Sequence, residues 1–223
     1  ESESRGLGDV YKRQEIMKIA VHNIKGKETK KKVDLSKDVF GIEPDDHAIY
    51  LDVKQHLASQ RSGTHSSKER GQIAGSRRKL RKQKGSGAAR VGDIKNPIFR
   101  GGGRVFGPRP RNYGFKVNKK VKRLARKSAL THKLNENNII IVEDFNFDTP
   151  STKLYSNALA SFELLDNKSL LVLDKPNNNI LLSSRNLRKA KVILASELNT
   201  YDIMNASKML FIESSIKVVE ETF

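Results

Sequence analysis

The sequence contains no cysteine and no tryptophan, and aromatic residues make up 6% of its 223 positions. The absence of cysteine excludes disulfide bonds and thiolate metal sites. Apolar runs are short, and IIIV at residues 139–142 is among the longest, whereas a helix that crosses a bilayer needs about 20 apolar residues. We therefore expect a cytoplasmic protein with no membrane partner.

Acidic residues are nearly missing from one part of the chain. Between Gln60 and Lys116, sixteen basic residues accompany only two acids, Glu69 and Asp93, and the next fourteen residues add six basic residues and no acid. The remainder is close to neutral, although the whole chain carries a formal net charge of +18. A local excess of this kind predicts a polyanionic partner, above all a nucleic acid.

The same segment lacks the apolar periodicity of a helix or a strand, and it holds eleven of the fifteen glycines. Ordering 57 residues costs on the order of 60–110 kcal/mol in backbone entropy. With no apolar core to offset that cost, the segment is expected to need an oppositely charged partner. Its glycines, in QKGSGAAR and FRGGGR, are interpreted as clearance that lets the backbone lie against RNA.

The flanking sequence alternates between short apolar strands and amphipathic helices. This pattern favours an α/β fold with a mostly parallel sheet covered by helices, and a long extended basic loop inserted between two of them. Residues 17–60 and 117–223 are assigned to the globular α/β domain, residues 61–116 to the loop, and residues 1–16 to a non-native leader. Strands are predicted at 18–24, 138–143, 169–173, 191–194 and 208–212, and helices at 45–60, 118–134, 151–165 and 214–223.

A nucleic-acid-processing enzyme is the main alternative. Glu143 and Asp144 follow a predicted parallel strand, where a metal-dependent nuclease would place its ligands. No second acidic cluster completes a two-metal site, and the five histidines lack the spacing of metal ligands. GGGR at 101–104 is not followed by the GK[ST] of a phosphate-binding loop. The chain is therefore predicted to be non-enzymatic, with no catalytic residues, metal site or cofactor.

Longer motifs identify a resemblance. RSGTHSSKERGQIAGS (61–76), RKQKGSGAAR (81–90), GDIKNPIFRGGGRVFGPRPR (92–111) and KVNKKVKRLARKSAL (116–130) resemble, in this order, the family of bacterial large-subunit ribosomal protein four. LVLDKPNNNILLSSRNL (171–187) is similar to another region of that family. The resemblance extends over residues 17–223.

The resemblance implies a structural constituent of the large (50S) subunit that binds 23S rRNA early in assembly and contacts several rRNA domains. The partners implied are 23S rRNA, neighbouring large-subunit proteins and the nascent peptide, since the family's loop forms part of the polypeptide exit tunnel. Structural Mg²⁺ ions would be carried by the rRNA. The tip of the loop would comprise Gln83, Lys84, Gly85, Ser86, Gly87 and Arg90.

Basic residues of the loop and of the following helix are the candidates for rRNA binding. Phe99 and Phe106, which lie among them, are candidates for stacking on bases. The basic candidates are Arg61, Lys68, Arg70, Arg77, Arg78, Lys79, Arg81, Lys82, Lys84, Arg90, Lys95, Arg100, Arg104, Arg109, Arg111, Lys119, Lys120, Arg123 and Lys127.

Overall fold

A computed structural model describes residues 17–223, and the expected leader, residues 1–16, lies outside the described residues. The strands are β1 (Met17–His22), β2 (Glu28–Leu35), β3 (Ile139–Val142), β4 (Ser169–Leu173), β5 (Ala190–Leu194) and β6 (Lys208–Ile212). The helices are α1 (Lys37–Phe40), α2 (Asp46–Ser59), α3 (Lys119–Asn135), α4 (Thr152–Ser161), α5 (Asn178–Ser184), α6 (Thr200–Asn205) and α7 (Glu213–Thr222).

The six strands form one sheet in the order β2-β1-β3-β6-β4-β5. Strands β1, β3, β6, β4 and β5 pair in parallel, and only β2 is antiparallel to its neighbour β1. The prediction of an α/β fold with a mostly parallel sheet is confirmed. The central parallel strands β3, β6 and β4 are largely apolar on both faces, as expected where helices cover both sides of a sheet.

Alternate residues of β3, β4, β5 and β6 enter two separate hydrophobic clusters. Ile139 and Ile141 of β3 belong to a cluster that includes side chains of α3, α6 and α7. Val142 belongs to the other cluster, which includes side chains of α4 and α5. The period of two along a strand places its side chains on opposite faces, so the sheet is the middle of three layers.

Strand β2 was not predicted from the sequence. Its residues, ETKKKVDL, include three consecutive lysines, and most of its side chains face solvent. β2 is an edge strand held by its register with β1, in which Leu35 lies opposite Met17, and Leu35 is buried. An edge strand with only one covered face does not need a continuous apolar run.

Differences between the predicted and the observed helices also have local causes. Helices α1, α5 and α6 contain four to seven residues, too few to show a helical period. The helix predicted over 151–165 ends at Ser161. Glu163 takes a left-handed conformation, with φ at 57°, and the Leu164 N–H donates to the Leu159 carbonyl. Such a turn satisfies the last helical carbonyls and stops the helix.

The described chain divides into two compact units. Residues 17–56 and 116–223 form one, which contains the sheet and is called the α/β unit below. Residues 57–115 form the other, and within the described chain residues 60–118 include no helix or strand. The assignment of residues 61–116 to an rRNA-penetrating loop, called the basic loop below, stays a prediction.

Candidate nucleic-acid interface

The basic loop contains an outgoing arm, residues 61–80, and a returning arm, residues 92–113. Backbone hydrogen bonds join the two arms over their length. The bonds run from Arg111 N to Gly63 O (3.1 Å), Ser67 N to Pro108 O (3.0 Å), Arg104 N to Lys68 O (3.0 Å) and Leu80 N to Gly92 O (3.0 Å). The arms therefore have order of their own without a regular ladder, which composition alone did not predict.

Two glycines of the returning arm are required by close backbone approaches, Gly103 to the outgoing arm and Gly102 within the returning arm itself. A Cβ atom at Gly103 would lie 2.2 Å from the Arg70 backbone nitrogen, and one at Gly102 would lie 2.0 Å from the Asn96 carbonyl oxygen. The interpretation of the GGG run as clearance for RNA is thus corrected at these two positions. Their missing side chains make room for the protein's own backbone.

The glycines of the segment between the arms, residues 81–91, which contains the expected tip, meet no neighbouring atoms. Gly85 and Gly87 have φ values of +80° and +63°, and a Cβ atom at either position would meet no atom within 4 Å. All residues from 81 to 90 are exposed. Glycine at the tip is required by backbone conformation, and the space around it is free for a partner.

Most of the basic candidates are exposed to solvent. The two exceptions are Lys127, which is half-buried, and Lys95, which is 8% exposed. The Lys95 carbonyl accepts a hydrogen bond from Gly103 N at 2.9 Å. Lys95 is therefore packed within the loop, and it is the candidate least available to RNA. Among the exposed candidates, Arg109 forms an ion pair with Glu69.

The two stacking candidates differ in exposure. Phe106 is 99% exposed, so its ring is fully available. Phe99 is half-buried, and its backbone is engaged in turns, since its N–H donates to Asn96 O and its carbonyl accepts from Gly102 N, each at 3.0 Å. Exposure favours Phe106 as the residue that would stack on a base.

Helix α3 carries a second set of basic candidates. Lys119, Lys120 and Arg123 are exposed, whereas Ala129 and Leu130 pack into the core. No acidic residue occupies the first turn of α3. Lysines at a helix N-terminus oppose the helix dipole at a cost of about 0.3–1 kcal/mol each. Their presence is consistent with a surface that meets an anionic partner rather than one selected for helix stability.

The acidic pair of the nuclease alternative is engaged in other contacts. Asp144 Oδ1 accepts hydrogen bonds from Ser214 N at 3.2 Å and from Ser214 Oγ at 3.1 Å, at the start of α7. Glu143 lies 3.6 Å from Lys31 Nζ. Among residues 17–223, no three His, Asp or Glu side chains form a group that could hold a metal ion.

One aromatic contact in the loop was not assigned from the sequence. The Tyr113 ring lies under two guanidinium groups, with Arg61 Cζ 3.8 Å and Arg111 Cζ 4.6 Å from its centroid. Arg111 and Tyr113 are two residues apart, but Arg61 is fifty residues away in the sequence. Only the arm pairing brings them together.

Among residues 17–223, no helix is long and apolar enough to cross a membrane.

Comparison with known proteins defines the class. The profile of the Ribosomal protein L4/L1 family matches residues 33–222. The chain belongs to this family, and it is a ribosomal protein rather than an enzyme.

Three relatives carry the same name, large ribosomal subunit protein uL4. The protein of Christiangramia forsetii is 60% identical over 204 residues, 92% of this chain and 98% of the relative. That of Flavobacterium psychrophilum is 58% identical over 205 residues, again 92% and 98%. That of Parabacteroides distasonis is 57% identical over 207 residues, 93% of this chain and 99% of the relative. The resemblance inferred from the motifs is confirmed.

Proposed function

We propose that this protein is a structural constituent of the large ribosomal subunit and binds 23S rRNA through its basic loop and helix α3. The observation that carries the proposal is the loop itself. Its arms are hydrogen-bonded to each other, and nearly all of its basic side chains remain exposed. Exposed arginines and lysines on a narrow two-armed segment suit a polyanion that surrounds it, because each phosphate contact releases condensed counterions.

The tip has the properties of a segment completed by its partner. Its glycines have open space around them, and its side chains are exposed. In the assembled subunit, residues 83–87 and Arg90 would lie at the wall of the polypeptide exit tunnel and face the nascent peptide. The family resemblance and the exposure of the tip support this assignment.

A role early in assembly follows from the same arrangement. A loop that is surrounded by RNA must be in place before the RNA folds around it, and several rRNA domains could then contact one loop. The α/β unit would remain available to RNA and to neighbouring subunit proteins. The protein would work on ribosomes in the cytoplasm, with structural Mg²⁺ ions held by the rRNA.

A salt titration of binding to a 23S rRNA transcript tests the proposal. If eight phosphate contacts form, the slope of log affinity against log salt should be about −6 to −7. A variant that lacks residues 70–104 should keep a folded α/β unit by circular dichroism but lose most of this slope. A shallow slope for the intact chain, or a full slope for the deletion variant, would contradict the proposal.

A further inference from the structure

The two arms of the basic loop meet close to where the loop begins and ends. Four residues form a cluster there, called the clamp below: Arg61, Gly63, Arg111 and Tyr113. Arg61 Cζ lies 3.8 Å and Arg111 Cζ 4.6 Å from the centroid of the Tyr113 ring. Both distances are within the range of cation–π attraction. A backbone hydrogen bond of 3.1 Å from Arg111 N to Gly63 O joins the arms at the same level.

Glycine is the only residue type that the backbone geometry admits at position 63. Its φ is +62°, and a Cβ atom there would lie 2.1 Å from the Arg111 carbonyl oxygen. The same atom would lie 3.0 and 3.1 Å from two atoms of the Tyr113 ring. An L side chain would therefore force the arms apart, because both the backbone conformation and the space require glycine.

The ring also resolves an electrostatic conflict. Arg61 and Arg111 carry like charges that repel each other when the arms close, and the electron-rich face of an aromatic ring attracts both. His65 adds a stacked contact, with its ring 6.4 Å from that of Tyr113 and an interplanar angle of 26°. Hydrogen bonding and the positive charge of Arg111, together with the charge of Arg61, lower the pKa of the Tyr113 phenol.

We propose that Tyr113 is a positioning residue for RNA binding, which holds Arg61 and Arg111 together and closes the two arms before RNA is present. The proposal rests on the function proposed above, since it assumes that the loop binds RNA. A closed pair of arms loses less conformational freedom on binding, which strengthens affinity without a new contact. Tyr113 would accordingly not stack on a base, because its ring already contacts Arg61 and Arg111 within the protein.

The first test uses the full chain without RNA. The amide protons of Arg111 and Arg104 donate across the arms, so their exchange with solvent deuterium reports arm closure. Tyr113→Ala and Gly63→Ala should each accelerate this exchange by about tenfold, the amount that the loss of two exposed cation–π contacts allows. Gly71→Ala is the matched control, because a Cβ atom at Gly71 would meet nothing within 4 Å. Unchanged exchange in both clamp variants would overturn the proposal.

The second test measures affinity for a 23S rRNA transcript at several salt concentrations. Tyr113→Ala and Gly63→Ala should weaken binding in proportion to the fraction of molecules whose arms have opened, by at most about tenfold, and leave the salt slope unchanged, because neither removes a charge. Tyr113→Phe should bind nearly as well as the wild type, since it keeps the ring. Arg61→Lys should weaken binding more than Arg77→Lys, because both keep the charge but only Arg61 stacks on the ring.

The outcomes separate three explanations. Suppose that Tyr113→Ala weakens binding, while Gly63→Ala keeps wild-type affinity and both variants keep wild-type amide exchange. Tyr113 then contacts RNA directly, and the proposal is wrong. If the slope of either clamp variant falls by about one, a phosphate contact has been lost instead, which also contradicts the proposal. If the wild type shows no salt-dependent binding, the proposed function fails, whereas faster exchange in the variants would still establish the clamp.

Discussion

The α/β unit and the basic loop obtain their order from different sources. The α/β unit buries two apolar clusters on the faces of one sheet, so its structure rests on the removal of apolar surface from water. The loop is held by backbone hydrogen bonds between its arms, by glycines that permit close approach, and by a tyrosine ring that contacts two arginines. One chain thus combines a unit built around apolar clusters with a segment whose outer part, residues 81–90, is exposed to solvent.

The largest expected effect tests the source of order in the α/β unit. Phe211 is 1% exposed and meets Phe40 edge-on, with ring centroids 6.4 Å apart. Phe211→Ala should lower the free energy of unfolding by about 3–5 kcal/mol through the cavity that it leaves, as measured by urea denaturation. Phe106→Ala, in the loop, is the matched control and should leave stability unchanged because Phe106 is 99% exposed. Equal losses of unfolding free energy in the two variants would contradict the view that apolar burial stabilises the α/β unit and not the loop.

Within the loop, the next effect concerns a glycine that meets the opposite arm. Gly103→Ala places a Cβ atom 2.2 Å from Arg70 N, so it should separate the arms at a cost of about 2 kcal/mol and weaken RNA binding by at most about 30-fold. The unfolding free energy of the α/β unit should not change. Gly92→Ala, which meets no atom within 4 Å, controls for the substitution itself. If Gly103→Ala kept wild-type amide exchange and wild-type RNA affinity, the close approach of the arms at Gly103 would not be required for arm pairing or for binding.

A smaller effect returns to the α/β unit. Tyr155 is 2% exposed, and among the described residues its hydroxyl has no hydrogen-bond partner. Burial raises the pKa of this hydroxyl, so it remains neutral at physiological pH. Tyr155→Phe removes an unsatisfied buried group and should stabilise the protein by about 1 kcal/mol, with RNA affinity unchanged. Destabilisation in a thermal melt would indicate a missing partner for the hydroxyl.

The smallest effect is a shift in titration. The pKa of the Tyr113 phenol should lie below its usual value of 10.0, and Arg111→Ala should raise it again, since Arg111 is the main cause of the shift. Because the folded-state pKa is lowered, the phenolate form adds stability to the loop that is present above pH 10 and is lost as the pH falls through the lowered pKa. A carbon NMR titration of the tyrosine ring, compared with Tyr113→Phe for assignment, measures both values.

Much of the α/β unit could be predicted from the sequence because its signals are local. The apolar runs of β3, β4 and β6 and the amphipathic period of α2 and α3 lie within single segments. β2 escaped prediction because three of its residues are lysines at a sheet edge. Its strand conformation depends on the register with β1, a contact that local hydrophobicity does not report.

The loop shows the same division in a sharper form. The count of sixteen basic residues against two acids indicated the kind of partner, but it did not distinguish one basic residue from another. Lys95 is buried, whereas Arg90 and Arg100, the basic candidates before and after it in the sequence, are exposed. The sequence signal for Tyr113 was its place among arginines, and its contact with Arg61 depends on the pairing of the two arms.

The amino-acid sequence by itself determined the segregation of charge, the alternation of strands and helices, and the family. The first two properties are carried by composition and by periods within short windows, and the family is carried by longer sequence motifs; tertiary contacts alter none of these. The tertiary structure alone decided that Gly103 faces Arg70, that Gly85 and Gly87 face open space, and that Tyr113 holds two arginines. Each of these depends on which distant parts of the chain come together, and therefore on the fold as a whole.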